Sequence, residues 1–347
     1  MLFVMPVALG AAACSFDDVP AEPLWTEGAG ERTVVDVELE SLWRIGGESD
    51  TLLLRPGVLT ARSDGVMYYD FADAKIVALD AFGEPEWHFG QEGDGPGEFR
   101  LVRSLQSLPD GGVLAYDAEA ARLTILDREG GSIQEVRLPG NVDRGDAVVR
   151  DDSGAYRLIT YSPAAPLVTL EPDGTVRRAA MPWEAFERLH VIDRQGVVVS
   201  QGDDWAYLFS FGNGFFSFHG SEPLPYLGQF VEHVDFPRLV TTRSASSETT
   251  TFAGLPVCAA CAAALSDGVL YVLFGGGTAD NGRVVDRYRF QDGAYLDSFR
   301  LPERYKAIAL KGDRLYALIE DPYPEIVAYR LNPGTPAASS VDPGHQE

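Results

Sequence analysis

The chain has 347 residues, with 28 basic and 52 acidic side chains, and its formal net charge is −24. So negative a chain lacks the positive footprint that binds nucleic acid, and it has no basic face for docking on anionic lipid. Hydrophobic residues make up 45% of the chain and charged residues 23%, which indicates a globular protein, and no apolar run reaches the length of a membrane-spanning helix.

The first 13 residues carry no charge, are almost all apolar, and end in three alanines before Cys14. Small residues before a cysteine resemble the lipobox of bacterial lipoproteins, although Ala11 stands where leucine is usual. The pattern predicts a signal peptide over 1–13, lipid attachment at Cys14, and an envelope lipoprotein of the outer membrane, facing the periplasm or the surface. A plain secretory signal and an uncleaved end remain as alternatives.

The ends of the chain differ in composition from its middle. Residues 14–31 are rich in Asp, Pro and Gly, which predicts a flexible tether after the lipid. Residues 332–347 are rich in Pro, Gly, Ala and Ser, which predicts a disordered tail. The folded body is therefore expected over 32–331.

An internal repeat organises the folded body. Asp64 and Asp110 are 46 residues apart, and two further matched pairs, Asp70 with Asp117 and Asp80 with Asp127, are each 47 apart. Weaker copies open near residues 152, 193, 266 and 312. Each copy alternates short runs of Val, Ile, Leu, Tyr and Phe with Asp-Gly turns, the signature of antiparallel hairpins.

A four-stranded unit of this length, repeated, predicts an all-β fold: a six-bladed β-propeller. The last unit has only three strands, so we expect a strand at or just after 33–39 to complete it and close the ring. Between residues 220 and 262 the spacing is too long. Either blade 4 carries an insertion over 223–251, with a Ser/Thr-rich loop at 241–251, or a seventh blade lies there.

The segment Phe89–Phe99 reads FGQEGDGPGEF. It resembles the glycine-rich loop between the blades of NHL-repeat propellers, and more narrowly that of six-bladed bacterial propeller lipoproteins. Here the loop occurs once, and Arg100 stands where proline often follows the phenylalanine. The resemblance implies the propeller fold and leaves the activity open, because NHL propellers include both binding modules and lyases.

Five aromatic residues fall where the repeat is most disturbed and form our candidate binding surface, since irregular insertions often carry function. The competing interpretation is packing between blades. The five residues are Trp183, Trp205, Phe215, Phe216 and Tyr226.

Two cysteines, Cys258 and Cys261, form a CxxC pair. A disulfide is one interpretation, because the predicted export leads to an oxidising compartment. Two small buried side chains in a strand is the other main interpretation. Redox or metal chemistry would need a helix start or two further ligands, and the sequence indicates neither.

The sequence contains none of the short catalytic or phosphate-binding motifs, so we assign no catalytic residue and no metal ligand. The recurring aspartates are expected to cap turns. We therefore expect a non-catalytic, envelope-tethered platform that binds a protein, peptide or glycan. The alternative is a calcium-assisted hydrolase or lyase with its site in the central channel of the ring.

Overall fold

The computed structural model describes residues 15–19, 30–49, 52–140, 142, 145–160, 162, 165–181, 186, 189, 190, 192–243 and 248–332. All the named elements within these ranges are strands. No helix in the described part has the length and apolar character needed to cross a bilayer. The leader 1–13, Cys14, Trp183 and residues 333–347 lie outside the described ranges, so the predictions made for them stay predictions.

The strands form six four-stranded antiparallel sheets arranged as the blades of a propeller, which confirms the predicted fold. In each blade the first strand lies innermost, and the later strands follow outward in chain order. The strands of the first three blades are β3 (Pro56–Arg62), β4 (Gly65–Asp70), β5 (Lys75–Asp80) and β6 (Pro85–Phe89); β7 (Val102–Ser107), β8 (Val113–Asp117), β9 (Arg122–Leu126) and β10 (Ser132–Arg137); and β11 (Gly145–Arg150), β12 (Tyr156–Thr160), β13 (Leu167–Leu170) and β14 (Val176–Ala179).

Blades 4 and 5 repeat this order, and blade 6 takes its outermost strand from the N-terminal part of the chain. Their strands are β15 (Gly196–Gln201), β16 (Asp204–Phe209), β17 (Gly214–His219) and β18 (Glu222–Gln229); β21 (Ala260–Ser266), β22 (Val269–Phe274), β23 (Val284–Arg289) and β24 (Tyr295–Arg300); and β25 (Ala307–Lys311), β26 (Arg314–Ile319), β27 (Glu325–Asn332) and β2 (Glu38–Gly46).

The matched aspartates of the repeat cap turns, as expected. Asp70 accepts hydrogen bonds from the backbone of Leu54 and Arg55, 2.9 and 3.0 Å away, where the chain enters β3. Asp117 does the same for Arg100 and Leu101, 2.7 and 3.1 Å away, at the start of β7. A buried carboxylate thereby fixes the point at which each of these blades begins.

The hydrophobic core is divided into six clusters, and each cluster lies between two neighbouring blades. On β15, for example, Val198 packs toward blade 3 and Val199 packs toward blade 5. Successive side chains of a strand point to opposite faces of the sheet, so both faces of every blade are buried. The ring is therefore held together by blade-to-blade packing, not by a single central core.

The N-terminal strand closes the ring, as the repeat count predicts. Strand β2 pairs antiparallel with β27, from Glu38 opposite Asn332 to Gly46 opposite Glu325. The residues just before it are fastened to the neighbouring blade: Val35 N donates to Ser298 O at 2.8 Å, and Ser298 N donates to Thr33 O at 2.9 Å. Residues 33–46 thus join blade 5 to blade 6.

A largely buried ion pair strengthens this closure. The guanidinium of Arg32 donates to both carboxylate oxygens of Asp286, at 2.8 and 3.0 Å, and to Glu232 at 2.6 Å. It also lies 4.5 Å from the ring centroid of Phe274. Burial opposes the charged form, but the hydrogen bonds and charges of Asp286 and Glu232 outweigh it and raise the pKa of Arg32.

An aromatic side chain on an outermost strand meets a turn glycine of the next blade at three places. Trp43 Nε1 donates to Ala81 O at 2.9 Å and its ring covers Gly83. Trp87 Nε1 donates to Arg128 O at 2.7 Å, and its ring covers Gly130. We call these pairs aromatic–glycine contacts; the third is Tyr226 with Gly293, where the hydroxyl donates to Phe290 O.

The irregular spacing between residues 220 and 262 is an insertion and not a seventh blade. Blade 4 is complete at Gln229, so the insertion lies between blades 4 and 5, and the predicted start at 223 is wrong. The expected Ser/Thr-rich loop is a hairpin of β19 (Leu239–Arg243) and β20 (Glu248–Phe252). Strand β1 (Ser15–Val19), inside the predicted tether, pairs antiparallel with β19.

The glycine-rich segment Phe89–Phe99 is held by its own chain. Phe99 is fully buried, with its ring centroid 6.1 Å from that of Phe89. Gly95 N donates to Glu98 Oε2 at 2.7 Å, and the buried Arg122 donates to Gly95 O at 2.8 Å. Polar groups of the loop are thus bound by the loop itself and by Arg122 of β9.

The aromatic–glycine contacts predict a specific loss of stability. Replacing Gly130, whose φ is +85°, by alanine would place a Cβ 2.6 Å from Trp87 Cδ2. We expect Gly130→Ala to lower the free energy of unfolding by about 2–4 kcal/mol in urea titrations. The matched control is Gly174→Ala: φ is +86° and no described atom lies within 4 Å of the added Cβ, so only the backbone cost of about 1–2 kcal/mol is expected. Equal losses would contradict the contact.

The closure ion pair predicts a second loss. Arg32→Ala leaves the carboxylate of Asp286, with a side chain 3% exposed, without its cation, so we expect about 3 kcal/mol less stability. Arg300→Ala serves as the control, because that side chain is 53% exposed, and we expect less than about 1 kcal/mol. Thermal and urea unfolding measure both variants, and an Arg32→Ala protein as stable as the control would show that this ion pair does not support closure.

Candidate functional site

A central channel of about 560 Å³ runs through the ring, lined by the six innermost strands β3, β7, β11, β15, β21 and β25. These strands run in the same direction: near their ends, Ser107 N donates to Thr60 and Gly312 N donates to Ser266 of the preceding blade. We name the end where they begin the front mouth, with Arg103, Cys261 and Ala307, and the end where they finish the back mouth, with Asp152, Gln201 and Lys311. The linkers between blades lie on the front side.

Aliphatic residues of every innermost strand lie along the channel, but most of their side chains pack into the clusters between blades. Polar groups therefore make up the larger part of the exposed wall. The aliphatic wall residues include Val58, Leu59, Ala61, Leu105, Ala147, Val148, Val149, Val197, Val198, Val199, Ala262, Ala263, Ala264, Leu265, Ala307, Ile308, Ala309 and Leu310.

Several polar side chains of the wall join one innermost strand to the next. Gln106 accepts from Arg150 N at 2.6 Å and donates to Arg150 O at 2.9 Å, across blades 2 and 3. Gln201 accepts from Asp267 N at 2.8 Å, across blades 4 and 5. Thr60 accepts from Ser107 N at 3.1 Å, across blades 1 and 2. The innermost strands of neighbouring blades belong to different sheets, and these side-chain hydrogen bonds connect them.

Asp-Gly turns and other acidic turns surround the back mouth. Asp151 is buried beside Arg157, whose Nε donates to it at 2.9 Å. Burial alone would raise the pKa of Asp151, but hydrogen bonds from Ser153 and Arg157 lower it below its usual value. Asp203 accepts from Asp152 N at 2.8 Å, between blades 3 and 4. The back mouth is thus an acidic rim whose carboxylates hold turns in place.

The front mouth is the less regular end of the channel. Arg103 and Cys261 are exposed there, and Ala307 is half-buried. Cys258 and Cys261 are bonded to each other as a disulfide. Cys261 does not have the buried position that the strand interpretation of the pair requires, because it lies in an irregular step of β21.

The insertion between blades 4 and 5 extends the front side. Leu255, which follows its hairpin, is 98% exposed, and Val257 is 41% exposed. The hairpin is held by an edge-to-face contact of Phe252 with Phe211, with ring centroids 5.0 Å apart. The front side therefore combines an open channel mouth with an exposed apolar segment.

The aromatic residues proposed as a binding surface do not form one. Trp205, Phe215 and Phe216 are at most 1% exposed, and Trp205 stacks on Phe218 with centroids 4.0 Å apart. Tyr226 is half-buried and makes one of the aromatic–glycine contacts. Trp205 on β16 and Phe215 and Phe216 on β17 are buried against neighbouring blades, so these three side chains cannot contact a ligand. Trp183 lies outside the described residues.

The linker that leads into β15 contains a buried carboxyl group. Asp193 is 1% exposed, and its Oδ1 has no hydrogen-bond partner among the described residues. Burial raises the pKa of Asp193 to about 6. Burial also lowers the pKa of His190, whose backbone oxygen accepts from Asp193 N at 2.9 Å. Sequence reasoning missed this residue because Asp193 reads as one more turn aspartate.

The described residues bring no three His, Cys, Asp or Glu side chains close enough together to hold a metal ion. Two asparagines on the front side bind the chain itself. Asn213 Oδ1 accepts from Val234 N at 3.3 Å, and Asn281 Nδ2 donates to Gly276 O at 2.7 Å. Their side-chain amides thereby hold loops on the front side.

Comparisons with known proteins find similarity of fold only. No known protein family and no curated protein matches the chain by sequence. Among solved structures, a Bacteroides fragilis protein inferred to be exported is 11% identical, with 86% of this chain and 95% of that chain covered and a TM-score of 0.56. Virginiamycin B lyase from Staphylococcus aureus is 12% identical, with 86% and 100% covered and a TM-score of 0.51. A member of the DUF4221 family from Bacteroides vulgatus is 9% identical, with 86% and 99% covered and a TM-score of 0.50.

The raised pKa of Asp193 predicts a pH dependence of stability. The folded protein holds this proton up to about pH 6, whereas an unfolded chain releases it near pH 4. The stabilising contribution is therefore present below pH 4 and lost as the pH rises to about 6. We expect Asp193→Asn to be more stable than the wild type at pH 7 by up to about 2–3 kcal/mol, with the difference vanishing toward pH 4.

The control variant is at Asp173, whose pKa is shifted in the opposite direction. The backbone N–H of Thr175 donates to Asp173 and lowers the pKa of that carboxyl group. Asp173→Asn should therefore lose stability relative to the wild type above pH 4 and regain it in acid. Urea unfolding across this pH range compares both variants, and a pH-independent difference for Asp193→Asn would show that its carboxyl group titrates normally.

Proposed function

We propose that the protein is a non-catalytic binding platform that holds an extended peptide or protein segment at the front mouth of the channel. The observation that carries the proposal is the exposed apolar segment beside the front mouth, where Leu255 is 98% and Val257 41% exposed. Several polar side chains of the channel wall are used in hydrogen bonds between blades. An exposed apolar segment at the mouth of a channel is suited to contact the apolar side chains of a ligand.

The front side favours a peptide over a glycan. Leu255 and Val257 are exposed next to the mouth, and exposed apolar side chains at a rigid rim commonly contact protein partners. Sugar rings are usually held by exposed aromatic faces, and the aromatic residues that could have served, Trp205, Phe215 and Phe216, are buried.

The platform is proposed to work outside the cytoplasm. The apolar segment 1–13 before Cys14 is typical of a lipoprotein signal, and a lipid at Cys14 would tether the ring to the cell envelope. A CxxC disulfide is consistent with an oxidising compartment. The net charge of −24 keeps an exported ring soluble and away from anionic lipid, so the lipid chain would be its membrane contact.

A structure of this fold can also support a lyase, so the binding test must separate the two activities. Synthetic peptides rich in aliphatic residues, and oligosaccharides of similar length, are titrated by calorimetry with calcium and with EDTA. We expect the peptides to bind, calcium to be unnecessary, and the peptides to be recovered intact. Cleavage of a peptide or oligosaccharide, or binding that requires calcium, would favour the enzyme.

Substitutions of matched size locate the site. Ala307→Trp places a large side chain at the front mouth, so we expect peptide affinity to fall by about tenfold or more, which is about 1.4 kcal/mol. Ala179→Trp adds the same side chain at the exposed end of β14, on the outer edge of blade 3, and should bind like the wild type. Equal affinity of the two variants would place the site elsewhere.

A further inference from the structure

The disulfide at the front mouth lies at an irregularity of the innermost strand of blade 5. Cys258 precedes β21, and Cys261 is inside it. Along β21 the pairing steps from Ala260 opposite Phe274 to Ala262 opposite Leu273, so that Cys261 has no opposite residue on β22. This is a β-bulge, which locally breaks the alternation of side chains and turns one of them outward.

Cys261, which lies at the bulge, is the more exposed residue of the pair. Cys261 is exposed and belongs to the channel lining, whereas Ala260 and Ala262 on either side are 0% and 5% exposed. The three alanines that follow Cys261 along β21 are buried between blades. Cys261 is therefore the residue of the pair that a thiol entering the front mouth meets first.

The backbone around the other cysteine, Cys258, is held by hydrogen bonds and close packing. Ala259 N donates to Ser210 O at 2.7 Å, and Gly275 N donates to Ala259 O at 3.0 Å. A side chain at Gly275 would collide with the carbonyl oxygen of Cys258, so the two segments are in close backbone contact. Cys258 is half-buried, which makes it the less accessible partner of the disulfide.

We propose that Cys258–Cys261 is a thiol–disulfide exchange site that captures a thiol arriving at the front mouth. An incoming thiolate attacks Cys261 Sγ and forms a mixed disulfide, and the electron pair of the broken S–S bond leaves with Cys258 as a thiolate. A second thiol then attacks the captured sulfur, which releases an external disulfide and leaves both cysteines reduced. The external thiols lose two electrons and the pair gains two.

This activity goes beyond peptide binding and does not depend on it. The chemistry that the site recognises is an accessible thiolate, from a low-molecular-weight thiol or from a cysteine in an extended peptide. The exposed side chains of Leu255 and Val257 stand just before Cys258 in the chain, so an apolar peptide bearing a cysteine has a surface to contact while it reacts. The location at the mouth excludes a folded protein whose cysteine is buried.

Two single variants test which sulfur is attacked. In Cys258→Ser the remaining thiol is the exposed Cys261, and in Cys261→Ser it is the half-buried Cys258. Each variant is mixed with oxidised glutathione, and separately with a disulfide-linked dimer of an aliphatic peptide, and the mixed disulfide is followed by intact mass. We expect Cys258→Ser to react at least about tenfold faster than Cys261→Ser when folded, and the rates to become equal in denaturant.

Faster reaction with the peptide would identify peptide thiols as the source, and faster reaction with glutathione would identify small thiols; both support the site. Equal rates of the two folded variants, or no reaction of either, would overturn the proposal. The wild-type protein supplies a check that needs no variant. In reduced glutathione, the folded chain should lose its disulfide, as alkylation and mass measurement show, and a disulfide that opens only on unfolding would also overturn the proposal.

Discussion

Ring closure is the constraint on which the rest of this protein depends. A propeller has no central core, and its six hydrophobic clusters each need two blades, so one missing junction would expose both faces beside it. Strand β2 meets this need by pairing with β27. The segment just before β2 is bound to blade 5 through the side chain of Arg32 and the backbone of Thr33 and Val35. A few residues therefore connect blade 5 to blade 6.

The packing between blades also explains the distribution of aromatic side chains. Trp43, Trp87 and Tyr226 extend from outermost strands and cover turn glycines of the next blade. The turns that carry these glycines are therefore constrained by the junctions between blades. Function is therefore expected where the repeat is irregular, as at loops carried by a rigid scaffold generally.

The two ends of the channel have become different surfaces on this scaffold. At the back mouth, carboxylates such as Asp151 and Asp203 accept hydrogen bonds from turns and from the neighbouring blade. At the front mouth, the insertion between blades 4 and 5 adds a hairpin and an exposed apolar segment, and a bulge exposes Cys261. The back mouth thus contributes to the stability of the ring. The front mouth has the groups on which the proposed binding and exchange functions depend.

Local sequence determined the blades. Asp-Gly turns and alternating apolar residues act over a few positions, so the repeat predicted the propeller, the last three strands and closure by an N-terminal strand, and Asp70 and Asp117 cap turns as expected. Only the tertiary structure decided which side chains face water. The local sequence of β16 and β17 does not distinguish buried from exposed positions. Trp205 and Phe215 are buried because a neighbouring blade packs on them. Cys261 is exposed at a one-residue bulge, and Asp193 has a raised pKa because its carboxyl group is buried. Burial depends on contacts between residues far apart in sequence, which a local pattern does not encode.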